Sequence, residues 1–243
     1  MIPKVIHYCW FGGGAMPRSL RACLRSWHRH MPDFALKRWD ESNFDISGTP
    51  FAQEAYRAKK YAFVADVARL YALFHEGGIY LDTDVEALRS LSDMLRHNFL
   101  TGTEAYLANG EPHYRMEASL LAATPRHPFV EACLRHYQAS HFTDETVIQE
   151  RITRVAEAGW GYRRENVFQG LRDGMAIYPT AYYTNTLVPD TARHDLLHAV
   201  HHNAASWMDF PHRGTLFHFC RRHDLMGLYR ALERLRPQKQ RQA

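Results

Sequence analysis

One helical segment limits what this chain can fold into. Residues 61–74 repeat apolar side chains along one stripe, and Gly77 stands where such a helix would end. Asp66 and Arg69 are the only charged residues in these fourteen positions, and they lie opposite the stripe. Because a helix that is apolar almost all round is expected to be buried, this pair is expected to face a polar cavity or each other.

A short hydrophobic strand is predicted next, at residues 79–81, and it ends in Asp82 and Asp84. If the backbone is extended there, the two carboxylates project to the same side, about 7 Å apart along the chain. That geometry suits one hard divalent cation, which takes oxygen ligands from carboxylates and substrate phosphates. Asp-x-Asp is common by chance and could be a polar turn, but the carboxyl end of a strand is where α/β sheets bind ligands.

The remainder of the 243 residues alternates predicted strands and helices. Strands are predicted at 2–9, 34–39, 99–104, 119–123, 175–178 and 197–201. Helices are predicted from Pro17 onward and at 128–141, 145–158 and 224–236. This alternation, with 46% hydrophobic residues, predicts a single α/β domain over residues 1–243, its mixed, mostly parallel sheet flanked by helices.

Composition bounds the environment and the partners. No secretory leader is visible, and no apolar stretch reaches the roughly 18 residues that span a bilayer, so a cytoplasmic protein is expected. The four cysteines form no CxxC pair and are expected to be reduced, buried thiols. The net charge of +4 comes without a nucleic-acid motif, so no nucleic-acid partner is expected. The basic amphipathic helix at 224–236 would either lie on anionic lipid at the membrane or close the core.

Several segments also carry a resemblance to a known family. They are residues 2–12, 26–27, 32–33, 39–41, 65–69, 77–84, 201–202 and 206–207. These segments resemble glycosyltransferase family 32 and the related large clostridial glucosylating toxins. The resemblance implies a GT-A-type, Rossmann-like domain that binds a nucleotide sugar. It further implies a metal-dependent, retaining transfer from a UDP- or GDP-sugar to a saccharide or lipid-linked saccharide, in surface polysaccharide synthesis.

The resemblance implies which residues bind the donor. Trp10 would stack on the nucleotide base, although a core tryptophan at a strand end is an equal alternative. Asp66 and Arg69 would contact the ribose or the donor sugar, and Tyr80 and Thr83 would lie beside them. Arg69 would also stabilise the departing diphosphate. The alternative for Asp66 and Arg69 is a buried ion pair with no role in binding.

The resemblance also implies the metal ligands and an acceptor residue. Asp84 would bind Mn²⁺ or Mg²⁺ directly, and Asp82 would reach it through water or touch the donor's hydroxyls. A histidine near the C-terminal end would complete the set, with His202 preferred to His201. Glu104 matches an acidic position of the family that would line the acceptor pocket.

A metal-dependent hydrolase of nucleotide sugars or phosphoesters is the alternative function. Paired aspartates at a strand end would serve such an enzyme as well. It would generally require further carboxylates and a water-activating base near the metal, and the sequence identifies neither. The transferase is therefore the predicted function.

Overall fold

The computed structural model describes residues 1–185 and 195–203. The helix predicted at 224–236, and with it Cys220 and residues 206–207, lies outside this described part. The helices of the described part are α1 (Arg18–His30), α2 (Pro50–Arg57), α3 (Tyr61–Glu76), α4 (Pro128–Gln138) and α5 (Ile148–Trp160). Its strands are β1 (Val5–Cys9), β2 (Ala35–Trp39), β3 (Gly78–Leu81), β4 (Val85–Ala87), β5 (Phe99–Ala108), β6 (Glu111–Ala123), β7 (Gln169–Leu171), β8 (Met175–Tyr178), β9 (Tyr183–Asn185) and β10 (Ala199–His201).

A seven-stranded sheet in the order β2-β1-β3-β6-β5-β8-β7 forms the centre of the fold. Five of its strands run in one direction, and β6 and β7 run opposite to them. One face is covered by α2, α3, α4 and α5, and the other by α1 and a small sheet in the order β4-β10-β9. The predicted α/β architecture, with a mixed, mostly parallel sheet flanked by helices, is confirmed.

The two glycines between α3 and β3 are required by close packing. Both have positive φ, +66° at Gly77 and +102° at Gly78. A Cβ at Gly78 would lie 2.7 Å from the carbonyl oxygen of Val5, and one at Gly77 would lie 2.6 Å from Pro125 Cδ. Nε2–H of His7 donates to the Gly77 carbonyl at 2.7 Å. The chain therefore leaves the buried helix and enters β3 directly against β1, which fixes where Asp82 emerges.

The β5–β6 hairpin is much longer than the predicted strands at 99–104 and 119–123. Its strands continue to Ala108 and resume at Glu111. Asn109 and Gly110 form the intervening turn with φ of +53° and +82°, the conformation that two-residue hairpin turns need. The extension brings residues 105–118 into the sheet beside the end of β3.

The described cysteines agree with the expectation from composition. Cys9, Cys23 and Cys133 are buried, and none of the three is in a disulfide. Burial raises the pKa of the Cys9 thiol to about 12. Within the described residues, no helix combines the length and the apolar character needed to cross a bilayer.

Candidate active site

A tight turn at the end of β3 carries the two aspartates. The Asp82 N–H donates to the carbonyl of Ser119 on β6 at 2.8 Å, and the Val85 N–H donates to the Asp82 carbonyl at 3.0 Å. The backbone is therefore turned between Asp82 and Asp84, where the sequence suggested an extended strand. Since the turn folds the two residues toward each other, ligand atoms of both carboxylates can share one cluster.

Strand β10 brings a histidine to this turn. It runs antiparallel to β4 with His201 opposite Val85, and the His202 N–H donates to the Asp84 carbonyl at 3.0 Å. Nε2 of His201 lies 3.3 Å from Asp84 Oδ1. One ligand atom each from Asp82, Asp84 and His201 lies within 4.8 Å of the other two.

The preferred histidine of the sequence prediction, His202, is not in this cluster. Its Nε2 lies 2.9 Å from Glu86 Oε2. Neighbouring residues of a strand point to opposite faces, so only one of the two histidines can face the aspartates. The structure turns His201 to them and His202 to Glu86.

In this cluster the carboxylates of Asp82 and Asp84 favour the protonated form of the His201 imidazole. Burial alone would lower the pKa of His201, but its hydrogen bond to Asp84 and the charges of Asp84, Glu117 and Asp82 raise it to about 9. Burial raises the pKa of Asp82, and the Arg69 guanidinium opposes that shift. Two carboxylates and an imidazole within this span fit Mn²⁺ or Mg²⁺, which take oxygen and, for Mn²⁺, nitrogen ligands.

Arg69 connects α3 to this cluster. Its Nη2 lies 2.9 Å from Asp66 Oδ1 and 3.3 Å from Asp82 Oδ1, and its Nη1 donates to the Ala118 carbonyl at 2.8 Å. The Tyr80 hydroxyl donates to Asp82 Oδ1 at 2.7 Å, and the guanidinium lies 4.5 Å from the centre of the Tyr80 ring. Asp66 and Arg69 are only 6% and 4% exposed, so they pair with each other in the interior, as one of the two sequence alternatives expected. The arrangement holds the Asp82 carboxylate in place.

Two further residues predicted to bind the donor, Trp10 and Thr83, follow the carboxyl ends of the neighbouring strands β1 and β3. Trp10 directly follows β1, is half-buried, and donates from Nε1 to the Gly14 carbonyl at 2.6 Å. The alternative of a core tryptophan is therefore not what the structure contains, and Phe11 is the buried residue at this end. Thr83 lies half-buried in the turn between the two aspartates. A contact of either residue with a donor stays a prediction.

Glu104 belongs to a second acidic group on the β5–β6 hairpin. Its side chain is 6% exposed, and Oε2 accepts from Arg115 Nε at 2.5 Å. Burial and the nearby charge of Glu117 raise the pKa of Glu104 to about 7, although Arg115 and His201 oppose the shift. The hydrogen bond from the Asp82 N–H to the Ser119 carbonyl of β6 places this hairpin beside the aspartate cluster.

Sequence reasoning did not single out Glu117, Ser119 or Tyr183. Glu117 is 1% exposed within β6, and the hydroxyl of Tyr183 forms a short hydrogen bond with Ser119 Oγ. The signal available in the sequence was Glu117, the one charged residue in the run from Met116 to Ala123, whose other residues are apolar except Ser119. A carboxylate at such a position is rarely buried without a partner or a task.

Comparison with known proteins adds sequence evidence. Residues 17–100 match the family described as the glycosyltransferase sugar-binding region containing the DXD motif. An uncharacterised glycosyltransferase of Acanthamoeba polyphaga mimivirus is 29% identical over 224 residues, which cover 85% of this chain and 84% of that protein. Mannosyl phosphorylinositol ceramide synthase CSH1 of Saccharomyces cerevisiae is 26% identical over 149 residues, or 58% of this chain and 38% of that protein.

Among solved structures, the chain is similar to the glycosyltransferase GlyE of Streptococcus pneumoniae. The similarity has a TM-score of 0.48 at 11% identity and covers 96% of this chain and 64% of that one. The family match includes Asp66, Arg69 and the Asp82–Asp84 turn, which are the residues that the structure gathers. The family match and the sequence relatives show that this chain is similar to glycosyltransferases.

Proposed function

We propose that this protein transfers a sugar from a UDP- or GDP-sugar, with retention at the anomeric carbon, to a saccharide or lipid-linked saccharide. The observation that carries the proposal is the cluster of Asp82, Asp84 and His201 at the carboxyl end of β3. Nucleotide ligands of open α/β sheets bind at this end of the strands. A role in surface polysaccharide synthesis and a nucleotide-sugar domain of the GT-A type belong to the same proposal.

Asp84 and His201 would hold the metal directly in this proposal, and Asp82 would hold it through water or orient the donor. Asp84 and His201 face each other at 3.3 Å, whereas Asp82 also accepts from Tyr80 and pairs with Arg69. A bound Mn²⁺ would supply Lewis-acid stabilisation of the leaving diphosphate. Since imidazole suits Mn²⁺ better than Mg²⁺, the donor set favours Mn²⁺.

The chain's own residues then have separate tasks. We infer that Arg69 is a positioning residue, because its guanidinium is engaged by Asp66, Asp82 and the Ala118 carbonyl. Its charge would still favour the departing diphosphate beside Asp82. Glu104, buried on the hairpin, would accept hydrogen bonds from hydroxyls of the acceptor sugar.

A basic surface on α1 supports contact with an anionic membrane. Four exposed arginines lie along one side of this helix, which contains no acidic residue, and no carboxylate of the described residues forms a salt bridge with them. They are Arg18, Arg21, Arg25 and Arg29. The opposite side of α1 packs on β4, where Trp27 Nε1 donates to the Val85 carbonyl at 2.7 Å. The helix therefore connects the turn of Asp82 and Asp84 to a positive surface suited to phosphate headgroups. The yeast relative is named a mannosyl phosphorylinositol ceramide synthase.

Vesicle sedimentation tests the membrane contact. Neutralising the four arginines with glutamine should weaken binding to phosphatidylglycerol vesicles at least tenfold, since each basic side chain near an anionic surface contributes about 1 kcal/mol. The matched control carries the same change at four other exposed arginines, Arg57, Arg135, Arg154 and Arg172. Equal loss in both variants would contradict a specific surface on α1.

A donor panel tests the transferase itself. UDP- and GDP-sugars are incubated with the protein, with and without Mn²⁺, and thermal stability and nucleotide release are measured with a saccharide-acceptor mixture and without it. We expect metal-dependent stabilisation by one nucleotide class, and nucleotide release that the acceptor accelerates. Release of free sugar at the same rate without acceptor would instead establish the hydrolase.

A further inference from the structure

Two buried polar atoms in and next to the aspartate cluster have no hydrogen-bond partner among the described residues. They are Oε2 of Glu117 and Nδ1 of His201, in side chains that are 1% and 8% exposed. A buried polar group that is left without a partner is destabilising, because it has given up its hydrogen bonds to water. One of these atoms is a carboxylate acceptor, and the other can carry an N–H donor.

The fold places these two side chains in the same layer. The small sheet lies on the hairpin, because a Cβ at Gly102 of β5 would be 3.1 Å from Tyr183 Cβ, and the Tyr183 hydroxyl bonds Ser119 on β6. Tyr183 pairs with Ala199, so His201 lies two residues further along the neighbouring strand and points to the same face. Glu117 is two residues before Ser119 and electrostatically influences His201.

Each side chain is already fixed at its other polar atom. Glu117 Oε1 accepts from the N–H groups of Ala118 and Ser119, both at 2.8 Å, which leaves Oε2 as the available acceptor. His201 turns Nε2 toward Asp84 at 3.3 Å, which leaves Nδ1 on the side away from the proposed metal. Histidines that bind metals usually donate their second ring N–H to a carboxylate, a carbonyl or water, and this partner fixes the tautomer.

We propose that Glu117 is a positioning residue for His201. Its Oε2 accepts a hydrogen bond from one water that in turn accepts from His201 Nδ1–H, and this bridge keeps the lone pair of Nε2 directed at the proposed metal beside Asp84. The inference rests on the proposed metal site and names the residue that prepares its imidazole ligand.

Glu117→Gln is the informative change because it reverses one hydrogen bond. The amide oxygen can keep the two backbone N–H groups, so the NH₂ group then occupies the place of Oε2. The NH₂ donates to the bridging water, which then donates to Nδ1, so the proton lies on Nε2 and blocks the metal. Glu111→Gln is the matched control, because Glu111 is exposed on the same strand.

The experiment measures the affinity for Mn²⁺ alone by the electron paramagnetic resonance signal of free Mn²⁺. We expect Glu117→Gln to weaken binding about 10- to 100-fold, Glu111→Gln to leave it unchanged, and Asp84→Asn to abolish it. If Glu117→Gln binds Mn²⁺ with wild-type affinity while Asp84→Asn does not bind it, the role of Glu117 is overturned and the metal site stands. Absence of Mn²⁺ binding by the wild-type protein would instead count against the proposed function.

A second measurement uses only the wild-type protein. The ¹⁵N shifts of the His201 ring in the Mg²⁺-loaded wild-type protein report which nitrogen carries the proton. Protonation at Nδ1 is expected, and a ring protonated at Nε2 would overturn the proposal whatever the stability of Glu117→Gln.

Discussion

Replacement of Arg69 tests whether the interior ion pair holds the site together. In Arg69→Met, a side chain of similar length removes the guanidinium and leaves the Asp66 carboxylate, 6% exposed, without its partner at 2.9 Å. Removing one member of a buried pair costs about 3–5 kcal/mol, because the remaining charge stays out of water. Most domains have a free energy of unfolding of about 5–15 kcal/mol, so the variant should fold but be much less stable.

Urea unfolding followed by tryptophan fluorescence measures this loss, and a double-mutant cycle isolates its origin. Adding Asp66→Asn to Arg69→Met should recover at least about 1 kcal/mol, since the buried charge is then gone. The control Arg135→Gln removes an exposed pair with Glu131 and should cost at most about 0.5 kcal/mol. A loss below about 1 kcal/mol in Arg69→Met, or strictly additive effects in the cycle, would refute the reasoning.

Two further predictions concern the ligands. In the metal-free protein the neighbouring carboxylates raise the pKa of His201 to about 9. The protonated imidazole therefore contributes on the order of 3 kcal/mol to the free energy of unfolding. This contribution is complete below pH 6.5 and is lost as the pH rises through 9. Unfolding of the wild-type protein and His201→Gln across this range should show the difference shrinking, and a constant difference would contradict it. Tyr80→Phe keeps the ring against Arg69 but removes the hydrogen bond to Asp82, so it should cost at most about 1.5 kcal/mol in urea unfolding. Calorimetry should also show Mn²⁺ binding weakened severalfold in this variant, and unchanged Mn²⁺ affinity would argue against the positioning of Asp82 by Tyr80.

The parts of the fold that follow from sequence are those with strong local patterns. The buried helix α3 follows from fourteen positions with only two charges, and the direction of β3 follows from the glycines before it. The long hairpin was missed because residues 105–118 mix polar and apolar side chains without a clean alternation. Asn109-Gly110 is nevertheless a turn signal that would have predicted it.

The candidate site was predictable to within one residue of register. Asp82 and Asp84 follow from their place after β3, but the choice between His201 and His202 depends on the register in which β10 pairs with β4. A shift of one residue reverses the face of every side chain in a strand, and local sequence does not set that register. Glu117 is likewise defined only by long-range packing of the small sheet on the hairpin.

In the proposed mechanism, Asp84 and His201 form a metal site that binds the diphosphate of the donor. Calorimetric titration of UDP and GDP into the wild-type protein and Asp84→Asn, each with and without Mn²⁺, tests it most directly. We expect one nucleotide to bind the wild-type protein tightly only when Mn²⁺ is present, and Asp84→Asn to show no gain from the metal. Equal nucleotide affinity with and without Mn²⁺, unaffected by Asp84→Asn, would contradict it.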